Sequence, residues 1–126
     1  MVQKNAKLNG VADRVATAVL DVSKIVNFDE RFDYLIASDM LFSTKLAKDV
    51  FVACRTFVKP GGTILLGHEK RYSVYRDRAT CEIKQDANDE PLELFIGLAR
   101  QEEWLVHELS PFDDKPQLLA IKIDCV

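Results

Sequence analysis

The sequence predicts an α/β fold whose sheet is mostly parallel and ends in an antiparallel hairpin. Short, nearly continuous apolar runs are typical of strands buried on both faces, as in a parallel sheet. Segments with apolar residues at three- and four-residue spacing indicate amphipathic helices between these runs. The last two runs are joined by a connection too short for a crossover helix, which implies an antiparallel pair.

Three strands are predicted in the first half of the chain. Val15–Leu20 is a short, partly β-branched run that ends at Asp21, and Phe32–Ser38 is a second run that is apolar after Asp33. Thr63–His68 is a third buried run. We expect the last two to form a βαβ unit with the helix between them, and its crossover to be right-handed.

The helix of this unit is predicted from an apolar stripe between Leu46 and Val58. Ser43 or Thr44 can cap its start through a side-chain oxygen. The tetrapeptide at residues 59–62, Lys-Pro-Gly-Gly, is predicted to end the helix in a tight turn, since proline cannot continue a helix and glycine allows positive φ.

The second half of the chain begins with a polar stretch, residues 71–89, that we expect to be a loop with at most a short helix. A helix is predicted from about Pro91 to Glu103. Two strands follow, Trp104–Leu109 and Leu118–Ile123, and together they form the predicted hairpin.

The length and charge of the chain limit the classes of protein to which it can belong. Its 126 residues make one ordinary domain, which can bury a core without disulfides or metals. A net charge of −3 argues against a generic binder of nucleic acid or anionic membranes. No apolar run approaches the roughly 20 residues of a membrane span, and no secretory signal is visible behind Met1. We therefore expect a cytoplasmic or nuclear protein.

The cysteines and histidines show no spacing typical of a metal site. Cys54, Cys81 and Cys125 lie far apart, and neither His68 nor His107 is placed to complete a zinc site with them. Cys54 lies in the apolar stripe of the first predicted helix, so we expect it to pack as a small hydrophobe. Both histidines are expected to be core or surface side chains rather than catalytic bases.

Ligands of open α/β sheets bind beyond the carboxyl ends of the strands. This rule selects Asp21, the segment from Ser38 to Phe42, and the segment from His68 to Arg71. Each has a structural alternative: Asp21 as a turn cap, Asp39 as a solvated residue that closes a strand, and residues 69–71 as a solvated charge run. Motifs for dinucleotides, for P-loops and for α/β-hydrolases are absent.

The segment Phe32–Phe42, with the following helix and the sequence Lys-Pro-Gly-Gly before Ile64, resembles the C-terminal half of class I, seven-β-strand S-adenosylmethionine-dependent methyltransferases. It is similar, more narrowly, to the methyltransferase-like family of protein-lysine methyltransferases. Residues 5–9 (NAKLN) are similar to that family's Asn-x-x-x-Asn segment, and Leu20-Asp21-Val22 falls where the family often has Leu-Asp-Trp. The tetrad from Asp39 to Phe42 matches the family's acidic-x-x-aromatic motif.

The resemblance implies a site for S-adenosylmethionine at four residues. Asp21 would accept a hydrogen bond from the adenine amino group, and Val22 would pack near the adenine ring. Ala37 and Ser38 would border the methionine part of the cofactor.

The resemblance also implies where the methyl acceptor lies. Asp39 would orient the amine of the target lysine, and Phe42 would wall the channel around its aliphatic stem. A polar residue that the family carries after its fifth strand corresponds, more loosely, to Arg71.

Two parts of the family pattern have no counterpart in this sequence: the glycine-rich loop after the first family strand and the acidic residue that ends the second. With the family strand order 3-2-1-4-5-7-6, the resemblance implies that residues 1–126 are the C-terminal portion of a single, N-terminally truncated methyltransferase domain. Val15–Leu20 would then lack a partner, and Phe32–Ser38 would be an exposed edge. We expect the chain alone to bind the cofactor weakly and to be inactive.

Three functions are consistent with these observations. The first is a protein-lysine N-methyltransferase that uses S-adenosylmethionine and acts on a protein substrate bearing a target lysine. The second is a non-enzymatic interaction module or regulatory remnant of the fold, whose exposed sheet edge pairs with a partner chain or with a second copy of itself. The third is a methyltransferase for a small molecule or a nucleic acid, of which the acidic pI disfavours the nucleic acid.

Overall fold

The structure is a computed structural model that describes residues 1–25, 29–109, 114–115 and 117–126. Among these residues, no helix is long and apolar enough to cross a membrane. The described elements are, in chain order, α1 (Val2–Leu8), a 3-10 turn (Ala12–Arg14), β1 (Phe32–Ser38), α2 (Thr44–Phe57), β2 (Val58–Glu69), β3 (Val74–Arg76), β4 (Ile83–Gln85), α3 (Glu90–Gln101), β5 (Leu105–Leu109) and β6 (Leu118–Asp124).

The main sheet has the strand order β1-β2-β6-β5. β1 and β2 are parallel, while β6 is antiparallel to both of its neighbours, β2 and β5. This order is the one that the resemblance implies for family strands 4, 5, 7 and 6. The predicted α/β class, the βαβ unit and the C-terminal antiparallel hairpin are therefore confirmed.

α2 begins where the sequence predicts, because the Ser43 hydroxyl accepts a hydrogen bond from the backbone N–H of Leu46 at 3.2 Å. The predicted turn at residues 59–62 is wrong in part. β2 begins directly at Val58, and residues 59–62 bulge within it, since Phe32 pairs with Val58 but Tyr34 pairs with Thr63.

The bulge depends on glycine at two adjacent positions. Gly61 has a φ of +75°, which an L side chain rarely adopts. A Cβ at Gly62 would lie 2.8 Å from Cγ2 of Val58 and 2.9 Å from the carbonyl oxygen of Asp33. The Lys-Pro-Gly-Gly sequence therefore keeps β2 close to β1 rather than carrying the chain away from the sheet.

The hydrophobic core lies between one face of the sheet and the helix pair α2 and α3. Phe95 of α3 is fully buried, and its ring meets that of Phe51 of α2 edge to face at 5.9 Å. Trp104 lies 5.5 Å from the same Phe51 ring. Cys54 and Cys125 are buried, unbonded thiols in this core, so the predicted packing role of Cys54 is confirmed.

Two predictions of secondary structure are wrong. Within the described part of the chain, residues 15–20 form no strand, and Val19 is almost fully exposed. A short apolar run forms a strand when a neighbouring strand satisfies its backbone groups, and this run pairs with none of the described strands. The stretch 71–89, predicted to be a loop, contains the β3–β4 hairpin, whose side chains are all exposed and so carry no apolar periodicity.

β1 is the edge of the sheet, as the sequence predicts, with β2 as its one partner among the described residues. On the face of the sheet away from the helices, Tyr34 and Ile36 of β1 are 69% and 80% exposed. Leu65 of β2 lies beside Ile36 in the register of the sheet and is also exposed. One corner of the molecule thus combines unpaired backbone groups with apolar side chains.

Candidate functional site

Asp39, the residue that directly follows β1, has a strained backbone conformation at the point where the sequence predicts a site. Asp39 has a φ of +54°, and its backbone N–H donates a hydrogen bond to the carbonyl oxygen of Gly67 at 2.9 Å. Aspartate is one of the few residues that tolerate this conformation, and strain of this kind clusters at functional sites. A Cβ at Gly67 would lie 3.2 Å from Oγ of Ser38, so glycine keeps the carboxyl ends of β1 and β2 close together.

The Asp39 carboxylate holds the side chain of Arg71. Nη2 of Arg71 lies 2.8 Å from Oδ1 and 2.9 Å from Oδ2 of Asp39. The same guanidinium lies over the ring of Phe42, with Cζ 4.5 Å from the ring centroid. The structure therefore brings together the two predicted acceptor residues, Asp39 and Phe42, around one cation.

A buried pair of side chains, His68 and Asp89, holds the backbone of Arg71. Nε2 of His68 lies 2.8 Å from Oδ2 of Asp89, and both residues are less than 5% exposed. Oδ2 of Asp89 also accepts the backbone N–H of Arg71 at 2.6 Å, while Oδ1 caps α3 by accepting the N–H of Leu92 at 3.1 Å. One carboxylate thus joins the end of β2, the start of α3 and the residue that pairs with Asp39.

These hydrogen bonds decide the charge of Asp89. Burial acts to raise the pKa of this carboxyl, but the hydrogen bonds from the Arg71 N–H, from His68 and from the Leu92 N–H together hold the pKa below its ordinary value. Asp89 is therefore ionised at neutral pH. Nδ1 of His68 is buried and has no hydrogen-bond partner in the described part of the chain, so Asp89 is what orients this imidazole.

The four residues implied for the cofactor lie in two places. Ala37 and Ser38 are the last two residues of β1, directly before Asp39. Asp21 and Val22 lie in the segment without a strand; Val22 packs against the core, while Asp21 is exposed. The structure supplies no contact that tests their predicted roles, which stay predictions.

Asp21 caps its own turn. Its Oδ1 accepts the backbone N–H of Ser23 at 2.9 Å and the Ser23 hydroxyl at 2.6 Å. These hydrogen bonds hold the pKa of the Asp21 carboxyl below its ordinary value. The sequence leaves Asp21 two roles, a turn cap or a cofactor contact, and the structure shows the turn cap. The other carboxylate oxygen, Oδ2, lies 4.0 Å from Nζ of Lys24.

Sequence reasoning missed Asp89. An aspartate before Glu-Pro at the start of a helix is a capping signal and could have indicated part of its role. Its contact with His68 could not be foreseen, because 21 residues separate the two. His68 is a core histidine, as expected, but it has a charged partner, Asp89, that the sequence does not reveal. His107, by contrast, is half exposed, and its Nε2 lies 3.4 Å from Oδ2 of Asp124.

A cavity of about 500 Å³ adjoins the network on the side of α3. Its lining includes buried Leu92 and Ile121 and the charged side chains of Lys70, Asp89 and Arg100. Asp89 is the member of the network that reaches it. In the described ranges, no group of three or more histidine, cysteine, aspartate or glutamate side chains could hold a metal ion.

No protein-family model matches the sequence, and no curated protein matches it. Solved structures do match. The glycopeptide N-methyltransferase MtfA, in complex with S-adenosylhomocysteine, aligns with a TM-score of 0.64 at 13% identity over 94% of this chain and 64% of that one. The CcbJ methyltransferase from Streptomyces caelestis aligns with a TM-score of 0.64 at 11% identity, over 99% of this chain and 74% of that one.

An O-methyltransferase family protein from Burkholderia thailandensis aligns with a TM-score of 0.70 at 18% identity, over 98% of this chain and 40% of that one. The chain thus spans less than two thirds of the MtfA chain in that complex and of this protein. Together these likenesses show that the chain has the Rossmann-like fold of the S-adenosylmethionine-dependent methyltransferases.

Proposed function

We propose that this chain is part of an S-adenosylmethionine-dependent methyltransferase and carries its acceptor site. The fold supports the class of enzyme, and structures similar to this chain hold S-adenosylmethionine, S-adenosylhomocysteine or sinefungin. The observation that carries the proposal is that Asp39 and Phe42, at the carboxyl end of β1, both contact one cationic group, the guanidinium of Arg71. This grouping can hold an amine at the edge where such folds bind their ligands.

The residues present fit one part of a cofactor site. Asp21 offers an exposed, ionised oxygen to an adenine amino group, and Ser38 borders the turn at Asp39. The five glycines of the chain, at positions 10, 61, 62, 67 and 97, form no Gly-x-Gly loop that could wrap the carboxypropyl group. We therefore propose that these residues alone bind the cofactor weakly and turn over slowly, in place of the complete inactivity expected from the sequence.

An amine is the acceptor that this geometry supports, and we propose the side chain of a protein lysine. When bound, S-adenosylmethionine would supply the methyl group to the unprotonated amine nitrogen, and the proton that the lysine ammonium loses beforehand would pass to water. Asp39 orients that nitrogen, and Phe42 contacts the aliphatic stem and the cationic product. Positioning of this kind contributes much of the rate of a two-reactant step. MtfA is described as an N-methyltransferase, which is in keeping with an amine acceptor.

The cofactor part of this proposal is tested by amide NMR spectra of the chain with millimolar S-adenosylhomocysteine, since NMR detects weak binding. We expect shifts at Asp21, Val22, Ala37 and Ser38, and weaker shifts in the Asp21→Asn variant. Asp13→Asn is the matched control, because Asp13 is also exposed and lies in the 3-10 turn. Spectra unchanged at the highest ligand concentration would contradict cofactor binding.

The acceptor part is tested with tritium-labelled cofactor at millimolar concentration and a screen of lysine peptides, small-molecule amines and hydroxyls, and nucleic acids. We expect label in lysine peptides, and loss of that label in Asp39→Ala while the shifts caused by S-adenosylhomocysteine remain. Label that appears in a hydroxyl compound or a nucleic acid instead would overturn the lysine assignment and leave the methyltransferase proposal in place.

A second function is favoured by the exposed edge of the sheet. We infer that β1 can pair with β1 of a second copy, because its outer backbone groups are unpaired among the described residues and Ile36 is exposed beside them. Size exclusion and solution scattering are expected to show a dimer that Ile36→Lys dissociates. Val52→Lys, at an exposed apolar position on α2, is the matched control. A chain that is monomeric at all concentrations contradicts this inference.

A further inference from the structure

Arg71 makes both of the contacts that the proposed function gives to the acceptor amine. Its guanidinium bonds to both carboxylate oxygens of Asp39, at 2.8 and 2.9 Å, and lies over the Phe42 ring at 4.5 Å. A carboxylate and an aromatic face that converge on one cation would offer the same two contacts to an ammonium group. A residue of the chain itself therefore occupies the acceptor site.

The backbone of Arg71 is held by a hydrogen bond to a buried residue, whereas its side chain is held by exposed contacts. The N–H of Arg71 donates to buried Asp89 at 2.6 Å, and the N–H of the preceding Lys70 donates to the carbonyl oxygen of Gln117 at 2.7 Å. The side chains of Arg71 and Asp39 are 45% and 49% exposed, so water reaches both partners of the ion pair. The guanidinium can therefore rotate into solvent about a Cα that stays in place.

We propose, resting on the proposed function, that Arg71 is an internal competitor for the acceptor site, which the substrate's amine must displace before it reaches Asp39 and Phe42. An amine without further contacts to the protein then binds weakly. An amine carried by a protein that also contacts neighbouring surfaces displaces Arg71 more readily. Arg71 thereby determines which amines reach the site.

The strength of this competition follows from the exposure of the pair. An exposed ion pair together with an exposed cation–π contact favours the occupied arrangement by about 3- to 30-fold. A ligand that binds when the site is open has its apparent affinity lowered by the fraction of open sites. Removal of the Arg71 guanidinium should therefore tighten the binding of a small cation by about 3- to 30-fold.

The test is an amide NMR titration of the whole chain with Nα-acetyl-lysine methylamide, in the absence of cofactor. We expect Arg71→Ala and Arg71→Gln to lower the Kd for this compound by the stated factor, with shifts at Asp39 and Phe42. Both variants keep the backbone N–H that bonds to Asp89, and their spectra report whether the fold is retained. Arg55→Ala is the matched control, because Arg55 forms a similar exposed ion pair with Glu102 at 2.8 Å and should leave the Kd unchanged.

Three results would overturn the inference. Unchanged or weaker binding in both Arg71 variants would mean that the guanidinium does not compete, or that it helps to hold the ligand. A gain that survives when Asp39→Asn is added to Arg71→Ala would place the bound cation elsewhere. No binding in any variant would mean that Asp39 and Phe42 form no cation site.

Failure of this inference can be told apart from failure of the proposed function. The titration contains no cofactor, so an absence of shifts at Asp21 and Ser38 with S-adenosylhomocysteine removes the methyltransferase proposal without changing the Kd values. An unchanged Kd in Arg71→Ala removes the competitor and leaves cofactor binding as it was.

Discussion

Replacement of Asp89 by alanine should destabilise the protein far more than replacement of a nearby surface aspartate. The Asp89 carboxylate makes three hydrogen bonds while 4% exposed: to His68, to the N–H of Arg71 and to the N–H of Leu92. Loss of a helix N-cap costs about 1 kcal/mol. The imidazole of His68 and the N–H of Arg71 are then left without their partner, which costs about 1–3 kcal/mol for each buried group and less where water enters.

We therefore expect Asp89→Ala to lower the free energy of unfolding by about 3 kcal/mol, the sum of the cap and the partly relieved unpaired groups. For a domain of this length the melting temperature should fall by about 10 °C. Urea unfolding followed by the fluorescence of buried Trp104 measures the change. Asp86→Ala, an exposed aspartate three residues earlier, is the control and should change stability by less than about 0.5 kcal/mol.

The pH dependence of the stability difference between the wild type and Asp89→Ala tests the same prediction independently. Because the pKa of Asp89 is lower in the folded than in the unfolded protein, its stabilising effect is present above the unfolded pKa of about 3.9 and is lost as the pH falls through the folded pKa. The difference in stability between the wild type and Asp89→Ala should thus shrink in acid. A cost no greater than that of Asp86→Ala, or a difference that grows in acid, would refute the reasoning.

Further predictions concern the bulge and the thiols. Gly62→Ala should lower the free energy of unfolding by about 1–3 kcal/mol, because its Cβ meets backbone and side-chain atoms within 3 Å. Gly97→Ala, in α3 with open space around it, should raise that free energy by about 0.5–1 kcal/mol. Urea unfolding compares the two variants. Native protein at pH 8 should react rapidly with a thiol reagent at exposed Cys81, while burial raises the pKa of Cys54 to about 12 and that of Cys125 to about 11. We expect one rapidly reacting thiol in the native protein, which is lost in Cys81→Ser, and three after unfolding. Rapid reaction of Cys54 or Cys125 in the native protein would contradict their burial in the core.

The elements that the sequence predicts well are those whose apolar pattern is satisfied within the described chain. α2 has a capping serine and an apolar stripe, and β1 and β6 pack on the core, so pattern and structure agree. Residues 15–20 carry a similar pattern but have no neighbouring strand there, and a strand depends on its neighbour as well as on its own sequence. The β3–β4 hairpin is held by pairing between exposed residues, which leaves no periodicity to detect.

The candidate site divides in the same way. Asp39 and Phe42 are three residues apart, so a local motif is enough to predict that they act together. Arg71 lies 32 residues from Asp39, and Asp89 lies 18 residues from Arg71. The first contact arises because β1 and β2 pair side by side, and the second because the residue that caps α3 lies beside the end of β2. The sequence singles out Asp39, Phe42 and Arg71, but it does not reveal that the Arg71 guanidinium contacts the other two side chains.

The position of β6 within the sheet has a consequence for synthesis of the protein. β6 lies between β2 and β5, and the N–H of Cys125 donates to the carbonyl oxygen of Gly62, so the last of the described strands connects strands made before it. As translation proceeds, β1 and β2 can pair, but β5 has no neighbour until residues 118–124 leave the ribosome. A nascent chain stalled before that point leaves β2 without β6 beside it, and we expect such a chain to be prone to aggregation until β6 is made.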